Sequence, residues 1–433
     1  MKRLSALGIV FVMLVTTSQT SHAYPLDGYA HTGIPRLEGL LKAQEGKIRG
    51  PRRVSGALLG IGQVDIRLLD GPDLTLPEPD PALSDRIRAL LGADAERYAV
   101  AVFDLTDPAS PRYAAVNGLQ KANPGSVGKV VIALCVFQAL ADIYPDSIEK
   151  RMEILRSTQI EADEFSQYDH HKVPFWDRDK QVLTYRPIRL GDRASLWTYL
   201  DWMMSASSNA AAAMIQKELM LMVRFGKDYP VSKETAAAFF EQTPKKQLAA
   251  LMVKSHQGPL IRNGLDTDGF RQGSFFTRTG KRKVPGTTSI ASPQGLIHFL
   301  VKMEQGRLVD PFSSRELKRL FYMTGKRIRY ASSPALNGSA VYFKSGSFYK
   351  CKPEAGFKCR KYRGNVLNRL ASVAIVEQTA PQPRLHYLVA VMSNVLYKNS
   401  AVAHQTLATR LHRLLEEAHG SKAVSSGKRH SEK

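Results

Sequence analysis

Residues 125–140 read GSVGKVVIALCVFQAL, and this stretch decides the fold around it. Residues 130–140 are almost continuously apolar, which is typical of a helix buried on every side. Ser126 and Lys129 precede that run and stand three residues apart, so their side chains share one helical face. The stretch therefore predicts a core helix that begins with a hydroxyl and an amine side by side.

The pair Ser126 and Lys129 has a chemical interpretation as well as a structural one. A helix N-terminus favours negative charge, and a lysine partly removed from water there can lose its proton and act as a base toward the serine. A helix cap at Ser126 fits the same residues. The Ser-x-x-Lys spacing also recurs at Ser147, Ser347 and Ser425. Ser126 differs from these because predicted strands precede it and a wholly apolar helix follows it.

Strand-forming segments lie at both ends of the chain. Residues 98–105 are apolar and β-rich, and residues 112–116 can return antiparallel to them. Residues rich in β-branched and aromatic side chains recur in the last third, at 339–343, 370–376 and 385–392. A closing helix that ends at Gly420 is predicted from one apolar face, formed by Ala403, Leu407, Leu411 and Leu415.

The segment between these ends has mostly helical patterns. Leu196, Leu200 and Met203 recur at helical spacing, and Ser292 followed by Pro293 is a typical helix start. The order of elements predicts an α/β fold of the α+β kind. We expect an antiparallel sheet built from both chain ends, flanked by helices, with an inserted and mostly helical subdomain.

Two further tripeptides carry polar side chains at predicted junctions. Ser207-Ser208-Asn209 offers a hydroxyl and a carboxamide between two predicted helices. Lys344-Ser345-Gly346 closes a predicted strand, and its glycine would let a substrate backbone approach closely. Taken singly, these residues also fit a helix cap and a solvated strand end.

Together the three motifs resemble those of a known superfamily. Ser126-x-x-Lys129, Ser207-x-Asn209 and Lys344-Ser345-Gly346 occur in the order found in the penicillin-recognising serine enzymes. That superfamily comprises serine β-lactamases and D-alanyl-D-alanine peptidases. The arrangement is most similar to the class A β-lactamase fold and covers roughly residues 84–418.

The resemblance implies a catalytic role for each matched residue. Ser126 would be the acylated nucleophile, with Lys129 as its base and Ser207 as the relay that protonates the leaving nitrogen. The backbone N–H groups of Ser126 and Ser347 would form the oxyanion hole. Substrate binding would fall to Asn209, which contacts a side-chain amide, and to Lys344, Ser345 and Gly346, of which Lys344 and Ser345 hold the substrate carboxylate.

The sequence also departs from the class A pattern. Class A enzymes carry a deacylating glutamate on a loop, whereas residues 269–285 contain no Asp or Glu, and Gln272 is no base. Ser208 stands where aspartate is common, Ser345 where threonine is usual, and residues 160–187 look like an insertion. We therefore expect acylation without fast deacylation, as in a penicillin-binding peptidase or a slow β-lactamase that uses another base.

The first residues predict export. Met1-Lys2-Arg3, a short apolar run and small residues before position 24 form a secretory leader, residues 1–23. The chain then divides into an extension with a proline-rich linker (24–83), a catalytic domain (84–418) and a disordered polar tail (419–433). No other stretch approaches the length of a membrane span. The mature protein is expected in the periplasm or outside the cell.

The composition excludes some functions and leaves the charge to be explained. The 433 residues include 61 Lys and Arg against 39 Asp and Glu, a formal net charge of +22. Export makes nucleic acid a poor partner, and no nucleic-acid motif is present. Part of the charge lies in residues 350–363, at Lys350, Lys352, Lys358, Arg360, Lys361 and Arg363. We expect this basic rim to attract an acidic envelope polymer or a carboxylate-bearing substrate.

The sequence also contains one cluster of metal-ligating residues and two cysteines close together. Asp169-His170-His171 lacks zinc-like spacing, so we expect a solvated insertion loop, no metal and no cofactor. Cys351 and Cys359 share one predicted loop of an exported protein, where we expect a local disulfide.

Two functional hypotheses remain. The first is an exported serine hydrolase that forms an acyl-enzyme with a β-lactam or with a D-alanyl-D-alanine-type peptide of peptidoglycan. The alternative is a weakly active or inactive binder of wall peptides or anionic envelope polymers on the same fold. The presence of every motif residue favours the enzyme.

Overall fold

The computed structural model of the protein describes residues 26–50, 53–323, 326–379 and 384–428, without side chains from 421 onward. The predicted leader, residues 1–23, lies outside the described residues, as do residues 429–433 of the predicted tail.

The strands form one main sheet and three small two-stranded sheets. They are β1 (Tyr98–Asp104), β2 (Arg112–Val116), β3 (Gln159–Glu161), β4 (Val173–Asp177), β5 (Val182–Arg186), β6 (Arg193–Ser195), β7 (Phe270–Arg271), β8 (Ile290–Ala291), β9 (Ser339–Lys350), β10 (Leu367–Gln378) and β11 (His386–Asn394).

The helices fill most of the remaining chain. They are α1 (Tyr29–Thr32), α2 (Pro35–Gln44), α3 (Pro81–Leu91), α4 (Lys129–Ile143), α5 (Ile148–Ser157), α6 (Leu196–Ser205), α7 (Asn209–Phe225), α8 (Lys233–Gln242), α9 (Lys245–Arg262), α10 (Arg278–Lys283), α11 (Pro293–Glu304), α12 (Pro311–Tyr322) and α13 (Ser400–Lys428).

The main sheet joins the two ends of the chain, as predicted. Its strand order is β2-β1-β11-β10-β9, and every neighbouring pair is antiparallel. One face packs against α3 and α13 through side chains such as Ile87 and Leu411, and the other packs against the large helical region. The edge strand β9 borders that helical region and brings the third motif to it.

The strand β9 is longer than the sequence indicates. It continues past residue 343 to Lys350, because residues 347–350 pair with residues 367–370 of β10. The motif Lys344-Ser345-Gly346 therefore lies inside the strand, not at its end.

The N-terminal region is not a separate extension on a linker, and that prediction is wrong. Ile34, Leu37 and Val64 are fully buried in the main core. Arg36 of α2 pairs with Asp201 of α6, with 2.5 Å between Nε and Oδ2, and both side chains are buried. Such a buried pair needs both partners, so this region shares one core with the segment predicted to be the catalytic domain.

The two ends of the predicted catalytic domain also shift. Helix α3 begins at Pro81 and not at residue 84, because the Asp80 carboxylate accepts from the backbone N–H of Leu83 and caps the helix. Helix α13 continues through Gly420 to Lys428, so residues 419–428 are helical and the prediction of a disordered segment there is wrong. Gly420 does not adopt the left-handed backbone with which a glycine commonly ends a helix.

The expectation that no second stretch approaches a membrane span does not hold for Gly125–Ile143. This 19-residue helical segment is long and apolar enough to cross a membrane, but 78% of its most apolar window is buried inside the protein. The apolar run therefore reflects its place in the core, as the sequence predicts for residues 130–140.

Candidate active site

A cleft of about 670 Å³ separates strand β9 from the helical region. It brings together the predicted residues of all three motifs, since its walls include Ser126, Ser207, Asn209, Lys344, Ser345 and Ser347. Lys129 lies directly behind this wall and is fully buried.

The nucleophile candidate lies on a tight turn at the entrance to α4. Gly125–Gly128 forms one 3₁₀ turn, and Gly125 adopts a left-handed backbone with φ +55°. Gly346 packs against this turn: a Cβ there would lie 2.5 Å from the carbonyl oxygen of Pro124 and from the nitrogen of Ser126. The glycine is thus required for the close approach of the turn to β9.

Lys129 is the centre of the hydrogen-bond network. Its Nζ lies 3.1 Å from the Oγ of Ser126, 2.6 Å from the carbonyl oxygen of Ser207 and 2.7 Å from the Oδ1 of Asn209. Burial lowers the pKa of Lys129 to about 7, with the charge of Asp169 opposing the shift and that of Arg329 adding to it. A large fraction of this amine is therefore neutral near pH 7 and able to accept a proton.

A second lysine faces the other hydroxyl of the cleft. Lys344 donates from Nζ to the Oγ of Ser207 at 2.8 Å. Burial, followed by the charges of Lys129 and Arg329, lowers the pKa of Lys344 well below its ordinary value. Ser207 has a left-handed backbone with φ 59°, an uncommon state for a residue other than glycine. The strained turn points its carbonyl oxygen at Lys129 and its hydroxyl at Lys344.

Comparisons with known proteins identify the family of the chain. A family model described as "Beta-lactamase enzyme family" matches residues 82–361, more than half of the chain. The chain belongs to the beta-lactamase enzyme family. The predicted family and fold class are thereby confirmed. Among curated protein sequences, none matches the chain.

Solved structures with this fold include PBP-A, which aligns with a TM-score of 0.50 at 15% identity and covers 79% of this chain and 100% of PBP-A. A PBP-A variant described as an acyl-enzyme complex with penicillin G aligns with a TM-score of 0.49 at 15% identity and covers 79% of this chain and 100% of that variant. A beta-lactamase from Chitinophaga pinensis DSM 2588 aligns with a TM-score of 0.48 at 16% identity and covers 77% of this chain and 98% of that enzyme.

Within this beta-lactamase family site, one carboxylate was missed by the sequence analysis. The Oδ2 of Asp169 accepts hydrogen bonds from the Oγ of Ser208 and the backbone N–H groups of Asn209 and Ala210, at 2.8, 2.8 and 2.9 Å. The side chain of Asp169 is buried, although its neighbours Tyr168 and His170 are exposed as expected for a solvated loop. Its carboxylate contacts Ser208, at the position where the second motif commonly has an aspartate. The absence of that aspartate was the available signal that another segment supplies a carboxylate.

Asp169 also fixes the adjacent histidine. Its Oδ1 accepts from the backbone N–H of His171 and lies 2.5 Å from the ring Nδ1 of that residue. Burial raises the pKa of the Asp169 carboxyl, but the hydrogen bonds and charge of His171 and the donors at α7 hold it below its ordinary value. Asp169 therefore remains a carboxylate that caps α7 next to Lys129.

Among the residues that the structure describes, two groups of side chains could hold a metal by proximity alone. The first is Asp169, His170 and His171, in which the donors just described already use both carboxylate oxygens. The second is Glu304, Glu377 and His386, where the Nζ of Lys318 lies 2.7 and 2.5 Å from the two carboxylates. A buried ammonium already occupies the place of a cation in the second group.

Arg329 is the second residue that the sequence analysis missed. Its guanidinium donates to the Oγ of Ser345 at 2.9 Å and to the Oγ of Ser347 at 3.0 Å, and it also contacts the hydroxyl of Tyr362. Arg329 lies in no recognisable motif and precedes β9, so the sequence carries no local signal for it. It adds a fixed positive charge to the end of the cleft that holds Lys344 and Ser345.

The loop between β7 and β8 closes the site behind Lys129. The ring centroid of Phe276 lies 4.6 Å from the Nζ of Lys129. Gln272 is buried, donates to the carbonyl oxygen of Ser274 at 2.6 Å and packs its Oε1 against Gly128. An aromatic ring and a carboxamide, neither of them a base, therefore approach the start of α4 from this loop.

The basic rim borders the cleft. Cys351 and Cys359 form the predicted disulfide. Tyr349, Lys361 and Tyr362 line the cleft itself, so the disulfide-closed loop lies at its opening.

Proposed function

We propose that the protein is a serine hydrolase that forms an acyl-enzyme through Ser126 with a β-lactam or a D-alanyl-D-alanine-type amide. One observation carries the proposal: a buried amine with a pKa of about 7, Lys129, lies 3.1 Å from the Oγ of Ser126. That geometry suits a base that activates a serine nucleophile. All the side chains that the resemblance assigns to acylation are present, which also favours an enzyme over an inactive binder.

Acylation would then proceed in balanced proton steps. Neutral Lys129 takes the proton of Ser126 as the Oγ attacks the carbonyl carbon. The N–H groups of Ser126 and Ser347 stabilise the developing oxyanion. Ser207 gives its proton to the leaving nitrogen as the C–N bond breaks, and it recovers a proton from the neighbouring ammonium of Lys344 or Lys129. The hydrogen bond between Lys344 and Ser207 supports this relay.

Substrate binding would use the positive charge of the cleft. Lys344, Ser345 and Arg329 would hold the substrate carboxylate, because a fixed guanidinium and an ammonium suit that anion. Asn209 would bind the side-chain amide of the acyl group. The basic rim would attract an acidic envelope polymer or a carboxylate-bearing substrate toward the opening.

Slow deacylation is part of the proposal. Lys129 meets the ring of Phe276, and Gln272 lies beside Gly128, so the loop that follows β7 offers no base to an attacking water. Export is also part of it: the leader would deliver the chain to the periplasm or out of the cell, and the disulfide suits an oxidising compartment.

Penicillin G is expected to modify the purified protein once. Intact-mass analysis should give a single adduct, peptide mapping should locate it on Ser126, and the adduct should persist for minutes or longer. Absence of any adduct would contradict the proposed acyl-enzyme. Rapid hydrolysis over many turnovers would instead contradict slow deacylation.

Asp169→Asn is expected to slow acylation by roughly 10- to 100-fold, because the charge-assisted hydrogen bonds to Ser208 and the start of α7 are weakened. Loss of the Asp169 charge should also move the midpoint of the acylation pH profile below 7, since that charge raises the pKa of Lys129. Stopped-flow acylation from pH 5 to 9 measures both effects.

The matched control is Asp179→Asn, which removes an exposed carboxylate of the same insertion. It should leave the rate and the midpoint at their wild-type values. A slower Asp169→Asn variant with an unmoved midpoint would reduce Asp169 to a purely structural cap.

A further inference from the structure

A second cavity opens beside the cleft that contains Ser126. Its volume is about 720 Å³, and it shares five wall residues with the cleft, namely Lys172, Ser205, Ala206, Lys326 and Ile328. The two spaces therefore adjoin each other along these five residues.

The walls of the second cavity are cationic. They include Arg36, Arg53, Lys172, Lys326 and Arg327, and among the described residues no carboxylate lines the cavity. The charge of Arg36 is balanced by Asp201, which it contacts through Nε and Nη2. Lys172, Lys326 and Arg327 leave the cavity with an excess of positive charge.

The guanidinium of Arg327 is held by backbone oxygens and not by an acid. It donates to the carbonyl oxygens of Leu336 and Ser339, both at 2.8 Å. In the described part of the chain, Lys172, Lys326 and Arg327 form no ion pair. Burial lowers the pKa of Arg327 to about 10, and burial with the charge of Arg36 does the same for Arg53. Cations gathered in a partly dry site favour the binding of an anion.

The position of the cavity relates it to one end of the substrate. Ser205 and Ala206 come immediately before Ser207, and Ile328 comes immediately before Arg329. Ser207 serves the leaving nitrogen, and Arg329 lies where the substrate carboxylate is expected. A group in the second cavity therefore belongs to the leaving-group side of the scissile amide.

We propose that the second cavity binds an anionic group, a carboxylate or a phosphate, on the leaving-group side of the substrate. The preferred substrate then carries this anion in addition to the carboxylate held by Lys344 and Ser345. This inference rests on the proposed function, since it assumes acylation of Ser126.

Three cephalosporins that share one acyl side chain test the inference. Their ring substituents on the leaving-group side are methyl, carboxymethyl and phosphonomethyl. The second-order rate of acylation by each is measured at low salt. At least one anionic compound is expected to react roughly 10-fold faster than the methyl compound. The faster of the two anions identifies carboxylate or phosphate as the natural group.

The double variant Lys172→Gln, Lys326→Gln is expected to lower the ratio of anionic to methyl rates toward one, because two of the three wall cations without a described ion pair are removed. Both side chains are exposed and without a described ion pair, so the fold should tolerate the change. The double variant Lys245→Gln, Lys246→Gln removes two exposed lysines from α9 and serves as the charge-matched control. It should keep the wild-type ratio.

Each outcome separates the inference from the proposed function. Equal rates for the three compounds, or a ratio that persists in the cavity variant, would overturn the second site while leaving acylation intact. A ratio lost equally in the control would assign the preference to overall charge and would also overturn it. Failure of all three compounds to acylate the protein would remove the proposed function itself.

Discussion

Ser126→Ala is expected to abolish covalent labelling by a fluorescent penicillin, lowering the acylation rate by roughly 10⁴-fold or more. The reason is geometric: the Oγ of Ser126 is the hydroxyl that lies 3.1 Å from the buried amine of Lys129. The hydroxyl of Ser207 faces Lys344 instead, so it cannot replace the nucleophile. Gel fluorescence and intact mass measure the loss.

The chain offers a matched control for this substitution. Ser147 has the same Ser-x-x-Lys spacing to Lys150, but its Oγ accepts from the backbone N–H of Lys150 and caps α5. Ser147→Ala should label like the wild type and lose about 1 kcal/mol of stability, the usual contribution of such a cap. Equal labelling of the Ser126→Ala variant would remove Ser126 from its proposed role.

The parts of the site that could be predicted are local in sequence. The apolar run after Lys129 indicates a buried helix by itself, and the spacing of Ser126 and Lys129 places both side chains on one face. The turn at Ser207 and the strand at Lys344 follow from equally short patterns. These patterns, taken in order, were sufficient to indicate the family and the antiparallel sheet.

The parts that could not be predicted depend on contacts between distant segments. Asp169 reaches Ser208 across 39 positions, and Arg329 reaches Ser345 from the segment before β9. Neither contact leaves a periodic pattern or a motif. Arg36 pairs with Asp201 across 165 positions. No local pattern shows this contact, so the sequence predicts an extension where the structure has a part of the core.

Lys129→Met is expected to reduce acylation by roughly 10²- to 10⁴-fold, the contribution of a well-placed general base. Methionine fills the buried space but cannot accept a proton. Lys129→Arg should show a similar loss, because a guanidinium stays protonated in proteins. Retained activity in the arginine variant would instead assign Lys129 an electrostatic role toward Ser126.

The pH profile of acylation distinguishes a base from a structural cation. Because the pKa of Lys129 is about 7, its neutral fraction increases roughly 10-fold between pH 6 and pH 8. The acylation rate should increase by the same factor. The residual rate of the methionine variant should lack this rise. A wild-type rate that is flat over this range would contradict a titrating Lys129.

Folding stability gives an independent test of the same lowered pKa. An unfolded lysine titrates near roughly 10.4, so between pH 7 and that value the unfolded chain binds more protons at position 129 than the folded chain. The contribution of Lys129 to the stability of the wild type must then rise with pH across this window. The Lys129→Met variant lacks this contribution. Both proteins keep a similar pH-dependent contribution from Lys344, whose pKa is also lowered. Urea unfolding at pH 7 and pH 9 should therefore show the wild type gaining free energy relative to the variant. Parallel changes in the two proteins would mean that Lys129 remains charged in the folded state, and a charged amine cannot activate Ser126.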